Sequence, residues 1–202
     1  MQCEYHFDEK GINEYFKNLV FFRKVAERAG AMFWTTLLSV GHWKYRVPTI
    51  DDIRWQIYTS VAHGVNGILW FFIYEREKDS SYRQSPINTF YEKMPLFFDL
   101  SYENRAFIKY YADYFVGSVL KDVYHVKKIY AKQKEYKNGS IADFNITRNG
   151  GAALIISEFT GKNGDFVTVT NNEQRDIEQV FGEYKGKKFD EWLAPGQLIV
   201  LK

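Results

Sequence analysis

The stretch YRVPTIDDIRWQIYTSVAHGVNGILWFFIY, residues 45–74, decides how the chain is read. Thr49 followed three residues later by Asp52 is a variant of the capping box, and Asp51 and Asp52 suit the positive end of a helix dipole. Ile50, Ile53, Ile57 and Val61 then share one helical face, and Gly64 closes the helix. The run GILWFFIY, residues 67–74, carries no charge and reads as a strand buried on both faces. A helix leading into an uncharged strand is one repeat of a barrel or doubly wound sheet.

The same unit stands just upstream. Ile12, Phe16, Leu19, Phe22, Ala26 and Ala29 recur at helical spacing, which predicts a helix over residues 13–29, stopped by Gly30. Residues 31–40, AMFWTTLLSV, are again uncharged and short between breakers, so they read as a second strand buried on both faces. After residue 74 comes a mostly polar segment of about 27 residues, too long for an idle connection. A third helix is expected from about residue 102 to 122, with Phe107, Tyr110, Tyr111, Tyr114 and Phe115 on its inner side. Two strands and three helices cannot close a barrel, so the sheet's neighbours are expected to lie in sequence outside this chain.

From about residue 123 the texture changes. Short β-rich runs are separated by KNG, RNGG, GKNG, TNNE and APGQ, which predicts an antiparallel β domain over residues 123–202. Pro195-Gly196 fits the centre of a type II turn.

Composition narrows the function classes. The 202 residues are 46% hydrophobic and 26% charged, which is ordinary for a globular chain. Net charge is +2 with no dense basic block, which argues against nucleic acid as the main partner. No run of 18 apolar residues exists, so no membrane-spanning helix is expected. The aromatic share of 18% suits either a sugar-binding surface or a large aromatic core, and composition leaves both open. The single cysteine, Cys3, rules out a disulfide within the chain, and the N-terminal residues lack the pattern of a signal peptide.

The motifs FWTTLLSVGH, YRVPT and IRWQIYTSVAHGVNGILWF resemble the last two βα units of barrel glycoside hydrolases, most closely the β-galactosidase-like bacterial proteins. The resemblance implies a fold of class α/β: residues 1–122 as the C-terminal portion of a (β/α)8 barrel, and residues 123–202 as a small β-sandwich. It implies a parent enzyme that acts on O-glycosidic bonds, with β-galactosides as candidate substrates, and that is secreted or periplasmic. Carbohydrate is the implied partner, no cofactor or metal is called for, and the sheet's cover would be a missing N-terminal barrel segment or a second copy. The runner-up is a non-catalytic carbohydrate-binding or interaction module that oligomerises to cover its open sheet.

In a barrel the strands' C-terminal ends carry the site. That singles out Ser39, His42, Trp43, Tyr45 and Arg46 after the first strand, and Tyr74, Glu75, Arg76 and Glu77 after the second. Glycoside hydrolysis usually takes two carboxyl groups, yet the strand matched to the barrel's seventh carries none, which leaves Glu75 as the candidate catalytic group. Trp43 and Tyr45 are candidate sugar-stacking platforms or loop-packing residues, His42 a hydroxyl partner or an ordinary loop histidine, and Arg46 a substrate contact or a loop anchor. Tyr74 joins the substrate-binding set, and Trp70, in mid-strand, is expected in the core. Cys3 and His6 lack a second ligand pair for zinc, and GEYKGKK at 182–188 lacks the spacing of a phosphate loop.

Overall fold

A computed structural model describes residues 9–75, 81–137, 139–146 and 153–202. These residues form a mixed α/β structure with four helices and four sheets, and among them no sheet closes into a barrel. Cys3, His6, Arg76 and Glu77 lie outside the described residues.

The first unit runs α1 (Glu9–Ala29), β1 (Trp34–Leu38), α2 (Ile50–Ala62), β3 (Gly67–Phe71). Strands β1 and β3 pair in parallel, from Trp34 opposite Gly67 to Leu38 opposite Phe71, as the helix–strand repeat requires. The expected capping box is present in full: Thr49 caps α2 through Asp52 N, and the Asp52 carboxylate returns to Thr49 N. Between them, β2 (Gly41–His42) pairs with β4 (Tyr82–Arg83), so the long polar segment folds back over the end of β1.

The strands are not buried on both faces, contrary to the reading of their uncharged sequence. Leu37 packs inward, but Trp34 is 54% exposed and Leu69 53%, so one face of the pair is bare. The second half of α1 is bare too: Ile12, Phe16 and Leu19 are buried, whereas Phe22, expected on the same face, is 53% exposed. An absence of charge marks a surface that needs cover; it does not say that this chain supplies it.

The third helix also begins and ends earlier than its apolar residues suggested. Helix α3 (Pro95–Tyr110) starts with proline in its first turn, where the missing N–H costs nothing, and a single-turn α4 (Ala112–Phe115) follows. Leu96 and Leu100 are buried with Phe107, Tyr111 and Phe115 packed beside them, while Tyr110 is left exposed. Chain entry into β5 (Val119–Val126) then precedes the expected boundary at residue 123.

The C-terminal part holds two sheets. One has the order β12-β9-β8-β5-β6, with β6 (Lys134–Glu135), β8 (Leu154–Gly161), β9 (Gly164–Asn171) and β12 (Leu198–Leu201). The other has the order β11-β10-β7, with β7 (Ala142–Ile146), β10 (Glu178–Tyr184) and β11 (Lys187–Leu193). Pairing is antiparallel as expected, except for the short parallel rung between β5 and β6. Leu154, Ile156, Val167 and Val169 of the larger sheet share a core with Val180, Tyr184 and Leu193 of the smaller. GEYKGKK is a hairpin, with Lys185 and Gly186 both at positive φ as a type I′ turn demands.

Helices cover the other face of the five-stranded sheet. Ile155 and Val123 pack with Ile12, Phe16, Trp55 and Ala62, which makes three layers: helices, large sheet, small sheet. Three ties fasten the first two. Trp55 Nε1 donates to Asn172 Oδ1 at 2.8 Å, Arg54 donates to the Pro195 carbonyl, and Gly196 abuts the Trp55 backbone. Pro195-Gly196 is the type II turn expected, closed by Gln197 N to Ala194 O at 2.9 Å with Gly196 at φ +70. A β-carbon on Gly196 would sit 2.4 Å from Trp55 N, so glycine is required both for the turn and for the close approach.

Candidate functional site

The loops that leave β1 and β3 gather on one end of the pair, and an aromatic stack forms there. The His42 ring lies on Trp43 (4.8 Å, 21°) and on Tyr82 (4.5 Å, 16°), with Phe71 tilted against it at 5.5 Å. Arg83 holds the loop from below, its guanidinium donating to the carbonyls of Trp43 and Tyr45 at 3.1 and 2.6 Å. Trp43 N donates to Ser81 O at 3.0 Å. These bonds keep Trp43 at φ +47, a conformation that side-chain-bearing residues avoid at a cost of about 1–3 kcal/mol, and leave the residue 73% exposed.

A second aromatic pair sits beyond β3. Tyr74 stacks on Tyr91 at 5.2 Å and 25°, and Ile87 bridges to both Tyr74 and Lys93. Asn88 orders the turn that carries Tyr91, its side-chain oxygen accepting from Phe90 N and Glu92 N. Glu75 follows Tyr74 directly. Its carboxylate accepts from the Ser85 hydroxyl at 3.1 Å, and its N–H donates to Ile87 O.

The sequence candidates therefore divide. His42 and Trp43 meet in one stack, with Tyr74 and Glu75 on the neighbouring strand end. Tyr45 turns away to line a cleft of about 460 Å³ between α1 and β1, together with Glu14, Tyr15, Phe22 and Trp34. Arg46 is engaged by Asp52, its guanidinium 2.6 Å from that fully buried carboxylate, which makes it an anchor of the capping box. Burial raises the Asp52 carboxyl above the usual range, against the opposing pull of Thr49 and Arg46. Ser39 is fully buried, and its N–H donates to Phe71 O at 2.5 Å. Trp70 is half-buried, its indole donating to Asn104.

Residues 81–94 supply what the sequence reading missed: Tyr82, Arg83, Ser85, Asn88 and Tyr91. The only signal was the length of their segment, because its turn-rich composition names no partner. Chemically the assembled group offers flat aromatic faces beside hydrogen-bonding side chains and two carboxylates, Glu75 and the Glu92 that accepts from Asn88 Nδ2 at 2.9 Å. Neither β1 nor β3 carries a second acid. No family model, curated protein or solved structure matches the chain.

Proposed function

We propose that the chain is the C-terminal part of a (β/α)8-barrel glycoside hydrolase with its following β-sandwich, and that it contributes sugar-binding loops to a catalytic site completed elsewhere. The observation that carries this reading is the parallel β1–β3 pair with one face bare and an aromatic stack at its C-terminal end. A barrel strand has its inner face covered by the other strands and its site at that end. The parallel register turns the backbone groups of Trp34 and Thr36 outward from β3, and they have no partner among the described residues. At Leu38 the Gln56 amide fills both outward positions, donating to the carbonyl and accepting from the N–H, as a neighbouring strand would.

Trp43, backed by the His42 and Tyr82 rings, then forms a platform for a pyranose ring, Glu75, held by the buried Ser85 hydroxyl, reaches its hydroxyls, and the catalytic carboxyl pair needs a second acid that neither β1 nor β3 supplies. A β-galactoside is the first substrate to try. Saturation-transfer NMR with methyl β-galactoside is expected to show binding that Trp43→Ala removes, with no turnover of an aryl β-galactoside. Binding untouched by Trp43→Ala, or none at all, overturns the reading. The bare face also supports a second reading, a sugar-binding module that covers its sheet by self-association, because Met32, Trp34, Leu69 and Phe22 would otherwise stay in water.

A further inference from the structure

The outward face of the small β-sheet carries side chains for which its core has no use. Along β10, Val180 and Tyr184 point into the core, so Gln179, Phe181 and Glu183 point away. Along β11, Leu193 is buried, and Lys188, Asp190 and Trp192 alternate outward. The register sets Gln179 opposite Trp192, Phe181 opposite Asp190, and Glu183 opposite Lys188. Asn145 flanks Phe181 from β7. Trp192 is 61% exposed on this rigid surface, and Gln179 Nε2 donates to Asp190 Oδ1 at 2.6 Å beside it.

The face is also hollow. Pairing between β10 and β7 shifts register between Phe181 and Glu183, and such an irregularity bends a strand. A concavity of about 510 Å³ results, lined by Asp143, Gln179, Phe181, Glu183, Lys188 and Asp190. Three carboxylates against one ammonium reject a polyanion, whether nucleic acid or an acidic glycan. The aromatic rings, Phe181 and Phe189 lining the concavity and Trp192 further along β11, stand among charged and amide groups and form no apolar centre of the kind a protein interface buries. A pyranose chain fits both demands, because it offers an apolar C–H face to an aromatic ring and a rim of hydroxyls to amides and carboxylates.

We infer that the outer face of the β7–β10–β11 sheet is a binding surface for a neutral polysaccharide, with Trp192 as the stacking platform and Gln179, Asp190 and Lys188 as hydroxyl partners. This surface is separate from the loops at the ends of β1 and β3. It stands on its own residues.

Affinity electrophoresis of the full chain tests it, using native gels that contain β-1,4-galactan, β-1,4-xylan or laminarin, and polygalacturonate as the anionic control. At least one neutral polysaccharide is expected to retard the protein, and polygalacturonate is not. Trp192→Ala weakens retardation about tenfold, which is the loss of one aromatic stacking contact of roughly 1.4 kcal/mol. Gln179→Ala weakens it as well. Trp192 and Gln179 lie on the surface, so unchanged far-ultraviolet dichroism is expected in both variants, and either one suffices if the other misfolds. Retardation by no neutral polysaccharide overturns the inference, as does retardation undiminished in both variants. Retardation lost in Trp43→Ala but kept in Trp192→Ala also overturns it, while leaving the strand-end site standing.

Discussion

Two histidines are buried where α2 meets the large sheet, and they make the fold sensitive to acid. His63 Nδ1 donates to Thr59 O at 2.8 Å, so its Nε2 is an acceptor. Tyr130 N donates to His125 Nδ1, so the proton of His125 sits on Nε2, which points at His63 Nε2 from 3.4 Å. Both rings are fully buried against Phe16. Burial pulls His63 down to about 3, helped by His125 and by Arg23 of α1, and pulls His125 down to about 4. Unfolded, each would take up a proton near pH 6.5, so the unfolded state binds more protons and stability falls as pH drops below that value. At pH 5 each histidine costs about 2 kcal/mol relative to neutral pH, and the pair about 4 kcal/mol. That is a large part of the roughly 5–15 kcal/mol available to a folded domain. Urea unfolding is therefore expected to show a midpoint about 1.5 M lower at pH 5 than at pH 7, for a slope of about 2.5 kcal/mol/M. Asp52 and Glu103, whose carboxyls burial raises, work in the opposite direction, so the comparison is made with a His63→Leu/His125→Leu variant. Most of the drop should vanish in that variant. A wild-type midpoint that does not move between pH 7 and pH 5, or a double variant that loses as much, would refute the buried neutral pair.

Other perturbations follow from the packing. Phe16→Ala empties a site shared by the rings of Trp55, His63, His125 and Tyr130, and should cost about 3–5 kcal/mol in urea unfolding at pH 7. Gly196→Ala forces a β-carbon into the Trp55 backbone, and should lower stability by more than the 1 kcal/mol or so that positive φ alone exacts. Thr49→Ala removes the hydroxyl that caps α2 and its two hydrogen bonds with Asp52, and should cost about 1–2 kcal/mol, read by thermal unfolding. Leu69→Thr, on the bare face, should change stability by less than about 0.5 kcal/mol in the isolated chain, whereas a covered β3 would lose far more.

Much of this architecture was legible in local chemistry. Thr49 and Asp52 announced the start of α2, the uncharged runs marked β1 and β3, and Pro195-Gly196 announced its turn, because caps, charge patterns and turn residues act within a few positions. What failed were statements about partners. Phe22 and Tyr110 continue an apolar stripe in sequence but face solvent, since whether a stripe is covered depends on elements remote in the chain. Arg46 is the exception: of its two readings, substrate contact or loop anchor, the structure has the anchor, through its ion pair with Asp52. The candidate site shows the same limit. His42, Trp43 and Tyr74 could be found from their place after strands, but Tyr82 and Tyr91 reach them only through the fold-back of residues 81–94. The buried histidines left no mark in their local sequence either, because 62 positions separate them.

Site-resolved hydrogen exchange along β1 tests the proposed open barrel edge most directly. The account predicts an alternation in the isolated chain at two protein concentrations. Trp34 and Thr36 exchange fast because their amides face outward, while Thr35 and Leu37 are held by β3 and Leu38 is held by Gln56. Equal protection of Trp34, Thr35, Thr36 and Leu37 would mean that another strand already pairs with this edge, and the incomplete barrel would have to be abandoned.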